Sequence, residues 1–143
     1  MITEESLRQF GVLIHEVRNV SSDEAVALLS DGAVILDVRP LFESEYRRFD
    51  VKDVIYAPAE GYEYWVKNLP FDRCLIVADA SGLKSRTIAS RLLADGFRMV
   101  VNLSGGLVDW ERRGAPVIVD KSKQLMGSCL CQLKPFYYKK RRE

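Results

Sequence analysis

The sequence predicts an α/β fold: an open parallel sheet of about five strands with helices on both faces. Two observations carry that reading. Short apolar runs alternate with helical stretches at the spacing that right-handed crossovers between parallel strands require. Two of those runs, at residues 34–36 and 74–78, are apolar throughout, the pattern of strands covered on both faces rather than one. A chain of 143 residues, 48% hydrophobic and 29% charged, has the composition of one folded domain with a sizeable core.

Taken in order, a polar lead gives way to Val12–Val17, a short strand that would hold His15, the only histidine, at a sheet edge. Ser21 and Glu24 then form the first and last positions of a capping box. The helix they open turns Ala25, Val26, Leu28 and Leu29 inward and stops at Asp31-Gly32. Val34-Ile35-Leu36 is the next strand, halted by Pro40, and Phe42 to Arg48 is expected to be a short helix. Val54-Ile55-Tyr56 is a strand closed by Pro58. Glu63 to Leu69 reads as helical, with Tyr64, Trp65 and Leu69 inward and Pro70 beyond. Cys74 to Ala78 is the most apolar strand and is placed at the centre. Lys84 to Asp95 is the clearest helix, with Ile88, Leu92 and Leu93 on one side and Gly96 at its end. Met99 to Leu103 is a further strand, and Gly106 to Arg113 a last helix anchored by Trp110. No internal repeat and no low-complexity block interrupts the series.

The charge is unevenly placed. Residues 1–120 hold 14 Lys and Arg against 19 Asp and Glu, a net of −5, whereas residues 121–143 hold 7 against 1, a net of +6. A basic end can contact nucleic acid, but a solvated end, or one that pairs with its own acidic body, is the expected reading, and nucleic acid is not the expected partner. No run of about 18 apolar residues exists, so no membrane span is expected. The acidic start, Met1 to Ser6, lacks the apolar stretch of a secretory signal. Cys74, Cys129 and Cys131 are odd in number and form no evident disulfide framework, which suits a reducing compartment such as the cytoplasm.

Four segments, in order, resemble the rhodanese-like sulfurtransferase family across about residues 14–118. Leu36-Asp37-Val38-Arg39, followed by Glu43, is similar to that family's signature strand end. Asp79-Ala80-Ser81-Gly82-Leu83-Lys84-Ser85 is similar to its active-site loop, and Asn102-Leu103-Ser104-Gly105-Gly106-Leu107-Val108-Asp109-Trp110 and Gly114-Ala115-Pro116-Val117 to its later motifs. The resemblance implies a domain over residues 1–119, followed by a basic tail, 120–143, with a Cys-x-Cys pair. It also implies that Asp79 stands where the family carries its nucleophilic cysteine. Another departure is Arg48 to Val54, where a Gly-His-Ile stretch is absent.

In that family the loop aims backbone N–H groups and a helix N-terminus at a thiolate or persulfide. Asp79, Ala80, Ser81, Gly82, Leu83, Lys84 and Ser85 are therefore the candidate anion-binding loop, and Asp37 and Arg39 its supporting brace. An aspartate in such a nest is expected to be stabilised by the same N–H groups and to cap the helix. It cannot become a persulfide. Aspartyl phosphoryl transfer and general-base roles for Asp79 have only its position to recommend them. Cys74, at the far end of the central strand, is expected to be a buried thiol. Cys129 and Cys131 are the alternative nucleophiles, since an extended tail from Asp120 reaches about 30 Å. A zinc site from these two thiols alone is half complete, so no metal and no cofactor is expected.

The leading expectation is a non-catalytic or atypical module that binds a protein partner, or a small anionic or sulfur-containing ligand, at the loop face. The alternative is a sulfurtransferase or persulfide relay carried by Cys129 or Cys131. The sequence leaves oligomeric state open.

Overall fold

The computed structural model describes residues 1–123. Helix α1 (Glu4–Leu7) leads into strands β1 (Val12–Ile14) and β2 (Val17–Val20), then α2 (Ser22–Ser30), β3 (Val34–Asp37), α3 (Leu41–Tyr46), β4 (Arg47–Phe49) and β5 (Val54–Tyr56). Helix α4 (Tyr62–Trp65) follows between two 3-10 turns, and then β6 (Leu75–Ala78), α5 (Leu83–Ala94), β7 (Val100–Leu103), α6 (Gly106–Arg112), β8 (Val117–Val119) and a last 3-10 turn, Lys121–Lys123. Five strands run parallel in the order β2-β7-β6-β3-β5, and β1 adds an antiparallel edge beside β2. The predicted parallel sheet is therefore present, with one further strand.

Side-chain alternation divides the core between the two sheet faces. Ile35, Ile76 and Val101 pack with Ala25 and Leu28 of α2 and with Leu107 and Trp110 of α6. Val34, Leu36, Leu75, Val77 and Val100 pack with Tyr62 of α4 and with Ile88, Ala89 and Leu92 of α5. No helix among the described residues is long and apolar enough to cross a membrane.

Helix ends follow local chemistry. Ser21 Oγ accepts from the Glu24 N–H at 3.1 Å, and the Glu24 carboxylate accepts from the Ser21 N–H at 2.9 Å, the expected capping box. The Ser21 N–H lowers the Glu24 pKa against the effect of burial, and the Gly11 N–H acts in the same sense.

Four expectations change. The run from Val12 to Val17 is not one strand but the start of a hairpin, because His15 and Glu16 take φ of 51° and 68° and form its two-residue turn. Positive φ at both positions matches the twist of a tight hairpin, a role usually given to Asn-Gly, so His-Glu hid it. His15 is thus an exposed turn residue. The helix expected to run from Phe42 to Arg48 stops at Tyr46, since Arg47–Phe49 pairs antiparallel with Val117–Val119. Tyr64 is 80% exposed rather than inward, and its place is taken by Tyr62, whose hydroxyl donates to Asp95 Oδ2 at 2.6 Å. Val26 also faces outward from α2.

Trp110 is fully buried, meets Phe49 edge-on with ring centroids 5.3 Å apart, and donates its indole N–H to the Pro116 carbonyl at 2.9 Å. It ties α6 to both strands of the β4–β8 ribbon. Trp110→Ala is expected to cost about 3–5 kcal/mol, the range for emptying a buried aromatic site. Urea unfolding followed by circular dichroism measures this, and a loss below 1 kcal/mol would mean the ribbon is held by other contacts.

Candidate functional site

The sheet register sets the site. Asp37 lies level with Ala78 at the carboxyl ends of β3 and β6, and Asn102 lies level with Val77. Ligands of open parallel sheets collect at these ends. The chain leaves β6 at Asp79, turns through Gly82 at φ +92°, and enters α5. A Cβ on Gly82 would meet the Gly105 nitrogen at 2.8 Å, and one on Gly106 would meet the Ala80 carbonyl at 2.5 Å. The loop is therefore pressed against the start of α6. There the Leu107 and Val108 N–H groups donate to the carbonyls of Asp79 and Ala80 at 2.9 and 3.1 Å.

The Asp79 carboxylate points into its own loop. Its Oδ1 accepts from the Gly82 N–H, and its Oδ2 accepts from the Lys84 N–H at 3.0 Å, capping the first turn of α5. The Ser85 hydroxyl lies 3.1 Å from Oδ1 and also contacts Asn102 Oδ1. Asn102 in turn donates to Asn19 Oδ1 at 2.8 Å and to the Gly82 carbonyl at 3.0 Å. Asp79, Ser85, Asn102 and Asn19 are all buried, with Asp79 only 6% exposed. This buried polar chain runs from the loop to β2. Sequence reasoning did not count Asn19 or Asn102 among the site residues, although a lone amide inside an apolar strand run was the available signal.

Asp37 and Arg39 form a second buried unit. Arg39 donates Nε and Nη2 to the two Asp37 carboxylate oxygens at 3.0 and 2.7 Å, and its own N–H reaches Oδ1 at 3.1 Å. The Ser44 hydroxyl donates to Oδ2 at 3.2 Å. This bidentate pair fixes the chain between β3 and α3 and places Arg39 beside the loop.

Next to the loop is a cleft of about 260 Å³ lined by Arg39, Glu43, Tyr46, Arg47, Ala80, Leu107, Val108 and Glu111. Of the loop residues only Ala80 lines it, and Asp79 does not. Val108, which lines the cleft, and Leu83, in the first turn of α5, expose apolar surface. Arg47 is committed to Glu111, whereas the half-buried Glu43 carboxylate has no hydrogen bond or ion pair among the described residues. Burial raises the Glu43 pKa, opposed in part by the Arg39 charge. Apart from Arg39 and Ala80, the cleft residues were not among the expected site residues. They come from α3, β4 and α6, which only the fold brings together.

Cys74 is buried at the amino end of β6, and burial pushes its thiol up to about 12. Cys129 and Cys131 lie outside the described residues. Among the described residues no cluster of three or more His, Cys, Asp or Glu side chains is placed to hold a metal ion.

Two outcomes follow from this geometry. Asp79→Ala strands the Gly82 and Lys84 N–H groups and is expected to cost about 1–3 kcal/mol. An unchanged urea midpoint would show that the carboxylate does not brace the loop. Cys74 is expected to resist alkylation in native protein at about pH 8 and to react only after unfolding, as a raised thiol pKa requires. Peptide mapping after iodoacetamide treatment checks this.

The rhodanese-like domain family profile matches residues 21–113. A sulfurtransferase of Allochromatium vinosum is 24% identical over 106 residues, covering 74% of this chain and 96% of that protein. The thiosulfate sulfurtransferase GlpE of Actinobacillus succinogenes is 31% identical over 88 residues, covering 62% and 78%. The crystal structure of a rhodanese-related protein from Thermoplasma volcanium superposes with a TM-score of 0.64 at 24% identity, over 72% of this chain and 99% of that one. The profile spans more than half of the chain and the superposed structure shares its fold, and the chain belongs to the rhodanese-like domain family.

Proposed function

We propose that this chain is a rhodanese-like module in which Asp79 replaces the family's nucleophilic cysteine, and that it works by binding a protein partner at the cleft beside the loop. The observation that carries the reading is the Asp79 carboxylate, already bonded to Gly82, Lys84 and Ser85. A cradle built for a sulfur anion is then filled by the chain's own anion. Of the two ligand classes expected from the sequence, the protein partner is favoured over a small anion, because two of the loop's N–H donors are spent on Asp79. The cleft is smaller than the usual 300–1,000 Å³ or so of a small-molecule site and suits an inserted side chain. Exposed Val108 supplies apolar contact at its edge.

Within this proposal residues 1–119 are the binding module, residues 120–143 an appended basic segment, and the reducing cytoplasm its setting. Burial of Asp79 also counts against aspartyl phosphoryl transfer, since a nucleophile must reach its substrate.

A second reading, sulfur transfer by Cys129 or Cys131, is favoured by one specific observation. The Asp120 N–H donates to the Tyr46 carbonyl at 2.8 Å, so the chain leaves β8 beside a residue that lines the cleft.

The two readings separate in one experiment. The chain is incubated with thiosulfate, whose outer sulfur passes to a thiolate with release of sulfite, and the added sulfur is mapped by mass spectrometry. The binding reading expects no sulfur on the native chain and uptake at position 79 once Asp79→Cys restores a thiol to the cradle. Uptake on Cys129 or Cys131, abolished by serine at both, would make the protein a sulfurtransferase. A folded Asp79→Cys variant that takes no sulfur would overturn the claim that the cradle keeps its family geometry.

A further inference from the structure

We propose that residues 124–138 of this same chain occupy the cleft beside the loop, so that the module carries its own ligand and brings Cys129 and Cys131 to the loop mouth. This rests on the reading of the cleft as a binding surface and names its occupant.

Three observations select the chain's own tail. The first is where the described chain ends. Asp120 is hydrogen-bonded to Tyr46, and residues 121–123 pack on α3, whose Glu43 and Tyr46 line the cleft. From Lys123 to Cys129 is six residues, about 20 Å when extended, and that length sets the reach of the thiols from α3. A tether this short gives an effective concentration in the millimolar range, enough for a weak intramolecular contact to be populated.

The second is charge. The body carries a net of −5 and the segment from Lys121 onward a net of +6. On the cleft wall, Arg39 is held by Asp37 and Arg47 by Glu111, which leaves the Glu43 carboxylate without a bonded cation among the described residues. A half-buried carboxylate in that position is best satisfied by an arriving ammonium or guanidinium group. The tail supplies Lys134 and the run Lys139 to Arg142.

The third is shape. The cleft has an apolar floor, Ala80 and Leu107, and an apolar rim, Val108, with room for side chains rather than for a cofactor. Leu133, Phe136, Tyr137 and Tyr138 lie within the same stretch as the basic residues. A segment combining apolar anchors with cations matches a cleft combining an apolar floor with an unpaired carboxylate. A docked tail would have two consequences. An external partner would have to displace it, and its two thiols would sit beside the loop that holds Asp79.

The test uses the full chain with Cys131→Ser, leaving Cys129 as the sole tail thiol. Val108→Cys places a partner thiol on the cleft rim. Tyr64→Cys places one on α4, which packs on the opposite face of the sheet. Each is oxidised with copper phenanthroline, and disulfides are mapped by peptide mass. The expected result is an intramolecular bond from Cys129 to the cysteine at 108, formed about tenfold faster than to the one at 64, as a raised local concentration requires. Glu43→Gln should slow the first reaction and leave the second unchanged. Equal rates at the two positions, or bonds only between two chains, would overturn the proposal. Both probe positions are exposed, and Glu111→Cys repeats the first from the same wall if the Val108 variant unfolds. Sulfur uptake at Asp79→Cys is read in a chain that also carries Cys129→Ser and Cys131→Ser, so failure here leaves the reading of the loop standing.

Discussion

The arrangement around the loop depends on a nearly buried carboxylate held by its own backbone. Removing a carboxylate from water is costly unless hydrogen bonds replace those it loses. Asp79 regains them from the Gly82 and Lys84 N–H groups and from Ser85. These contacts work only if the chain turns sharply at Gly82, and that turn brings Gly82 against Gly105 and Leu103. The start of α6 is drawn in by the same geometry, because Leu107 and Val108 bond the carbonyls of Asp79 and Ala80. One side chain thus determines the loop, the cap of α5 and the seating of α6. Ser85, Asn102 and Asn19 extend this order to β2 as a connected polar chain, and a partly satisfied chain would cost more than an apolar core.

The Asp37–Arg39 pair provides the matching constraint across the sheet. Two opposite charges that deep in a domain contribute little net stability, since desolvation offsets much of their attraction. Their geometry matters more. The bidentate contact fixes the direction in which the chain leaves β3, and Ser44 ties α3 to the same carboxylate. Arg39 is also stationed over the Phe49 ring, 5.7 Å from its centroid, which connects the pair to the β4–β8 ribbon. Arg39 on the wall of the cleft is therefore braced, and Glu43 stands beside it with no hydrogen bond or ion pair among the described residues.

The legibility of this molecule in its sequence follows the range of the interactions. Period, caps and apolar runs are local, so α2, α5, β3, β6 and β7 could be read from residues close together. The nest at Asp79 was legible for the same reason, because its donors lie within six residues of it. The ribbon was not. Arg47-Arg48-Phe49 becomes a strand only through pairing with Val117–Val119, far along the chain, and no local signal marks that partner. The His15-Glu16 turn was missed because its residues are not those usually found at positive φ. Tyr62 and Tyr64 differ by two positions, and only the short, 3-10-flanked form of α4 decides which of them faces inward.

The cleft shows why a filled cradle does not make the loop face inert. On the reading proposed above, a cysteine in the loop would let loop and cleft serve one reaction, the loop holding sulfur and the neighbouring surface receiving the donor or acceptor. With Asp79 in the loop, the two come apart. The Gly82 and Lys84 N–H groups are engaged by Asp79. The surface beside the loop keeps an apolar floor, an Arg39 held by Asp37 and a Glu43 carboxylate with no hydrogen bond or ion pair among the described residues. Neither the apolar floor nor the Glu43 carboxylate is needed to hold Asp79. A half-buried carboxylate without a bonded cation is costly in a surface that has no ligand, and it becomes favourable once a cation arrives. The occupancy proposed above would offset that cost, and Asp120 leaves β8 hydrogen-bonded to Tyr46, a residue of the cleft.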